Sequence, residues 1–141
     1  MDNYAKFLEA LEETLGILLP RHTGSIGLSI DHSLYLQIEE ASQDYLRLAF
    51  FLTPVPPGPF RSKVIQETLK ENHFYPSLGI LAYCTKNEQL VLTDLFPLHT
   101  FTADTFCTYL ELLIQKAFAW KKGVEQASLP PSQKFQPPST L

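Results

Sequence analysis

The sequence is short of the residues that most often announce chemistry. It has two cysteines in 141 residues, Cys84 and Cys107. Two thiols cannot build the multi-bridge framework of a small secreted domain, and they fit a reducing compartment. No CxxC or HxxxH spacing occurs, and His22, His32, His73 and His99 are far apart in the chain. A metal centre would have to gather ligands from distant segments, so none is expected. The six glycines form no phosphate cradle. Gly24-Ser25-Ile26-Gly27 leads into a strand pattern with no helix behind it. Basic charge is short as well. Eleven Lys and Arg against 15 Asp and Glu leave a net charge of −4, which repels a phosphate backbone. No apolar run approaches the roughly 18 residues of a membrane span. Met1-Asp2-Asn3-Tyr4 lacks the basic-then-apolar start of a secretory signal. These absences leave an acidic cytoplasmic chain with no cofactor, nucleic-acid partner or membrane partner expected.

What is present is apolar residue in ordered pattern, 45% of the chain. Tyr4, Phe7, Leu8, Leu11 and Leu15 recur at helical spacing, with Gly16 as the stop and Pro20 against continuation. Three strands follow. Ile26, Leu28 and Ile30 alternate with small residues; Leu34, Leu36 and Ile38 alternate with Tyr35, Gln37 and Glu39. Leu46, Leu48, Phe50 and Leu52 alternate with Arg47, Ala49 and Phe51. Short connections between such runs indicate an antiparallel meander. The stiff loop Pro54–Pro59 leads to a second helix, 60–72, whose narrow apolar stripe is Val64, Ile65, Thr68 and Leu69. Residues 78–84 form a nearly continuous apolar strand, which predicts burial on both faces. A turn at 85–88 and the strand Leu90-Val91-Leu92 complete a hairpin.

The last helix starts at Thr102 or Asp104. It carries Phe106, Tyr109, Leu110, Leu113, Ala117 and Trp120 on one face. Lys116, Lys121 and Lys122 lie toward the negative end of its dipole, and Gly123 is the expected stop. The order is α-β-β-β-α-β-β-α, an α+β fold with an antiparallel sheet and helices packed on it. Residues 1–123 make the domain. Residues 124–141, rich in Pro, Ser and Gln, read as a flexible tail.

No constellation supports catalysis, and the chain reads as a non-enzyme. Glu12-Glu13 and Glu39-Glu40 are solvated acid pairs. Cys84 and Cys107 read as buried structural thiols. The surplus is apolar instead. Tyr35, Ala49 and Phe51 fall on the strand face opposite Leu36, Leu48 and Phe50, and the run from Gly79 to Tyr83 asks for cover on both sides. Uncovered apolar surface of this kind marks a protein interface.

The ordered set resembles class I type III secretion chaperones of the Tir-chaperone-like family. It comprises Leu11–Gly16, Leu34–Glu39, Leu69–Phe74, the Gly79–Tyr83 strand, Leu90-Val91-Leu92, Phe96-Pro97-Leu98 and the closing stretch from Phe106 to Lys122. The likeness spans about Tyr4 to Lys122. It implies a small acidic cytosolic protein of Gram-negative bacteria, dimeric, that binds an extended N-terminal segment of a secreted effector without ATP. It implies a dimer interface on the second helix and the following strand, mapping to Val64, Ile65, Leu69, Ile80, Ala82 and Tyr83. It implies effector grooves at Phe7, Leu11, Leu18, Ile26, Leu28, Tyr35, Leu36 and Phe51. The sequence departs from the family in the Pro54–Pro59 loop and the tail; the narrow second-helix stripe and the extra tail are compatible with a heterodimer with a sister chaperone in place of a homodimer. The alternative is an interaction or regulatory module on the same fold that contacts a folded secretion or transcription component.

Overall fold

A computed structural model describes residues 3–19, 25–73, 78–99 and 102–128. The elements are α1 (Asn3–Leu15), β1 (Ser25–Ile30), β2 (Leu34–Ser42), β3 (Tyr45–Pro54), α2 (Pro59–His73), β4 (Ile80–Cys84), β5 (Gln89–Pro97) and α3 (Ala103–Glu125). They form an α+β fold in the expected order. All strand pairings are antiparallel, and the sheet runs β1-β2-β3-β5-β4. The final hairpin therefore enters with β5 against β3 and leaves β4 as an outer strand.

Strand alternation sorts the side chains into two faces. Ile26, Leu36, Ile38, Leu48, Phe50, Leu92 and Leu81 share the face under the helices and are buried. Each such side chain contributes about 1.5–3 kcal/mol by leaving water. Phe106, Leu113, Ala117 and Trp120 on α3 close this core. Phe106 stands edge-on to Phe7 of α1 (5.0 Å) and to Phe96 of β5 (5.4 Å), so one ring ties three elements together. On the other face the register lines up Tyr35, Phe51, Val91 and Ala82 across four strands. Along that row Tyr35 is 48% exposed, Ala82 is exposed, Phe51 is half-buried and Val91 is buried; Ile80, in the next row, is 53% exposed.

Local chemistry sets the ends. Gly16 takes φ +72° and donates to the Glu12 carbonyl, ending α1 as expected. The hairpin connection is three residues, 31–33: Asp31 and His32 both adopt positive φ at the centre of a tight turn, which the Ser33 N–H closes by donating to the Ile30 carbonyl. At α3, Thr102 and Thr105 exchange side-chain and backbone hydrogen bonds in a capping box. The helix runs through Gly123, which is not its stop. The chain turns at Ala127 (φ +54°), with the Ala127 N–H on the Val124 carbonyl and the Ser128 N–H on the Gly123 carbonyl. Gly123 and Val124 are buried, so the packed part of α3 passes the expected boundary at 123. Residues 129–141 of the expected tail, like Pro20 and His22, lie outside the described residues.

Two further expectations change. The apolar run 79–83 is not buried on both faces: Leu81 is in the core, but Ile80 and Ala82 are exposed on the open face. Cys84 and Cys107 are free and only half-buried.

Candidate functional site

The open face carries a groove where β1, β2 and β3 meet the β4–β5 turn. Tyr35 and Phe51 face each other across β2 and β3, ring centres 5.8 Å apart and tilted by 41°. They line a groove of about 560 Å³ with Ser29, Gln37, Asn87 and Gln89 among its walls. Gly27 is what lets the Tyr35 ring lie flat across β1: a Cβ at that position would run into the Tyr35 hydroxyl. The aromatic floor is edged by amides, hydroxyls, His32 and Lys121 of α3, which suits an extended polypeptide with its apolar side chains and backbone groups.

The structure divides the eight residues expected to line a groove. Tyr35 and Phe51 come together in the groove just described. Leu18, just past α1, is 90% exposed, and Leu28 is half-buried. Phe7, Leu11, Ile26 and Leu36 are core residues with no surface to offer. The reason is geometric. Ile26 and Leu36 sit on the strand face that the helices cover, and Phe7 packs edge-on against Phe106 of α3.

The six residues expected at a dimer contact divide as well. Val64 is 1% exposed and belongs to the core of its own chain. Leu69 is 64% exposed, Ile80 and Ala82 are open, and Ile65 and Tyr83 are half-buried. α2 is rotated relative to the expected stripe. Its buried side is Val64, Thr68 and Glu71. The Thr68 hydroxyl satisfies itself on the Ile65 carbonyl at 2.7 Å, and Glu71 meets Lys116 of α3 at 3.3 Å. Two polar residues therefore turn inward with partners, and Leu69 turns out.

Both ends of α2 are fastened. At its start the Arg61 Nε donates to the Val55 carbonyl (2.9 Å), its guanidinium pairs with Glu88 (3.1 Å) and it lies over the Tyr83 ring (5.2 Å). Val55, inside the proline loop, is fully buried and donates its N–H to the Glu88 carbonyl at 2.7 Å. At the other end, Asn72 binds Leu81 of β4 and Glu71 binds Lys116.

Sequence reading missed the polar seam between α2, α3 and β5. Lys116 does not serve the helix dipole. It sits in mid-helix, donating to the Leu78 carbonyl (2.8 Å) and pairing with Glu71. Burial lowers its affinity for a proton, against the pull of Glu71. Nearby, the Tyr109 hydroxyl donates to Asp94 at 3.3 Å and the Leu95 N–H donates to the same carboxylate at 2.8 Å. Burial holds the Asp94 carboxyl above its ordinary 3.8, against the pull of the Leu95 N–H, Tyr109 and Lys116. The only sequence signal for the seam was a lysine inside an apolar helix pattern.

Asp94 gives a pH prediction. Its folded value is raised, so the native state holds the proton to higher pH than the unfolded chain does. Stability therefore falls as pH rises from 3.8 through the raised value, and a penalty remains at neutral pH. Asp94→Asn keeps an oxygen to accept from Leu95 and Tyr109 but removes the charge. Its urea midpoint should gain on the wild type as pH rises from below 3.8 to neutrality. A difference that stays constant over that range would show that Asp94 titrates as it does in the unfolded chain.

Among the described residues no three metal-ligating side chains come together, and no helix is long and apolar enough to cross a membrane. The Cys107 thiol is pushed up by burial and further by Asp104 and Glu111, away from the thiolate a nucleophile needs.

Comparison with known proteins gives a consistent picture. Residues 6–121 match the model of the Tir chaperone protein (CesT) family. No curated protein matches the sequence. The solved structure of the HopA1–SchA chaperone–effector complex contains a chain 17% identical, with TM-score 0.68, covering 85% of this chain and 94% of that one. The heterodimeric ExoU–SpcU complex from the type III secretion system of Pseudomonas aeruginosa contains one 20% identical, with TM-score 0.64, covering 83% and 95%. YbjN from E. coli, a candidate transcription regulator, is 13% identical, with TM-score 0.59, covering 90% and 96%.

Proposed function

The chain belongs to the Tir chaperone protein (CesT) family, and from that premise we propose that it is a type III secretion chaperone. It holds an extended N-terminal segment of a secreted effector in the cytoplasm and keeps it ready for export, without ATP. The observation that carries this reading is the Tyr35–Phe51 groove on the sheet face opposite the packed core. The segment lays apolar side chains on the two rings and pairs its backbone with a sheet edge. Held extended, it is unable to collapse or aggregate. A second copy, identical or a sister chain, sits against Ile65, Leu69, Ile80, Ala82 and Tyr83. The HopA1–SchA and ExoU–SpcU complexes support the choice of an effector as partner.

Purification from the native host tests the reading. One secreted protein should accompany the chain, and limited proteolysis should spare a single extended stretch of it. Phe51→Asp should weaken that capture by roughly thirtyfold, the loss of one aromatic hot spot of about 2 kcal/mol, with the chain still folded because Phe51 faces away from the core and gives up only its contact with Tyr35 on the open face. Capture of a folded partner with no protected stretch would favour a regulatory module instead. The YbjN likeness shows that the architecture also occurs in a protein assigned elsewhere.

A further inference from the structure

The two outer strands of the sheet, β1 and β4, are finished differently. On β4 a side chain stands in for a missing neighbour. Asn72, in the last turn of α2, donates its Nδ2 to the Leu81 carbonyl at 2.7 Å and accepts the Leu81 N–H on Oδ1 at 2.9 Å. A carboxamide carries the same donor and acceptor as a peptide unit, so it continues the hydrogen-bond ladder for one rung as a strand would. Three residues upstream, the Leu78 carbonyl is taken by Lys116, itself held by Glu71 beside Asn72. Strand β4 has only five residues, so closing Leu81 removes a large part of its free rim. On β1, among the described residues, no side chain hydrogen-bonds the backbone of residues 26–30.

An outer strand with free backbone groups is a template for pairing with another chain. Strand β4 would be a good one, because Ile80 and Ala82 flank Leu81 with exposed apolar side chains. We propose that Asn72 is an edge plug, which prevents β4 of one copy from pairing, backbone to backbone, with β4 of a second copy. The chain then meets its own kind through side chains on α2 and β4 and does not grow sheet to sheet. The edge plug stands on the sheet order and the Asn72 geometry; the side-chain contact on α2 and β4 rests on the second copy proposed above.

Hydrogen exchange and sedimentation of Asn72→Ala, on the full chain across a range of concentrations, test it. In dilute solution the Leu81 amide should exchange about tenfold faster than in the wild type, having lost its acceptor. At higher concentration the amide should become protected again, in step with the appearance of species larger than the wild type forms. A purely structural role would not produce that concentration-dependent return. Asn72→Leu, which fills similar space without either hydrogen bond, should behave the same way and serves if the alanine variant does not fold. Asn72→Asp loses the donor to the Leu81 carbonyl but sets a charge at the rim, which opposes a second strand, so it should form no larger species. If neither the alanine nor the leucine variant associates beyond the wild type, or if the aspartate variant associates as they do, the plug is refuted.

Discussion

Ile80→Asp should separate two copies of the chain without unfolding either. Ile80 lies on the open face of an outer strand, opposite Thr93 of β5 and 53% exposed. An aspartate there is solvated in the lone chain, so the urea midpoint should stay within about 0.5 kcal/mol of the wild type. In the proposed contact the same carboxylate would be buried against apolar neighbours such as Leu69. An uncompensated buried charge costs about 3–5 kcal/mol, which weakens association by a hundredfold or more. Sedimentation equilibrium would read the change directly. A variant that dimerises as well as the wild type would place the contact elsewhere on the molecule.

Phe106→Ala should produce the largest loss of stability. Its ring is fully buried and stands edge-on to both Phe7 and Phe96, at interplanar angles of 86° and 84°. Phe96 in turn meets Tyr109 at 4.8 Å. Truncating a buried phenylalanine to alanine costs about 3–5 kcal/mol through lost transfer energy and the cavity left behind. Each aromatic pair adds about 0.5–1.5 kcal/mol beyond area. The site sits where α1, β5 and α3 meet, so it has little freedom to collapse. Urea unfolding should show a loss near the upper end of that range, and amides of α1 should exchange faster than those of β3. A loss below about 1 kcal/mol would mean that α1 is held by other contacts.

The meander and the long last helix were legible because period and burial agree there. Residues 34–38 and 46–52 alternate without interruption, and the observed register pairs Leu36 with Phe50 and Tyr35 with Phe51, as the pattern demands. The neighbour relation of β5 and β3 was not legible, since hydrophobic alternation says which face a residue takes and nothing about which strand lies beside it. The apolar stripe of α2 misled for a different reason. Val64 and Thr68 of the stripe are inward as expected, but Leu69 turns out and Glu71 turns in, and the partner of Glu71 lies on α3. Only the tertiary fold reveals that pairing. The groove residues divided along the same line. Tyr35 and Phe51 were recognisable as surplus to one face, whereas Phe7, Leu11, Ile26 and Leu36 are ordinary members of the core.

The fastening of α2 at both ends has a mechanical consequence. With Arg61 anchored to the proline loop and Asn72 to β4, the helix has little room to tilt against the sheet. If a twin settles on Leu69 and Ile80, the gap between the two Tyr35–Phe51 clefts is dictated by the scaffold before any cargo arrives. The pair then works as a gauge, admitting passengers whose greasy residues are spaced to reach from one berth to the next.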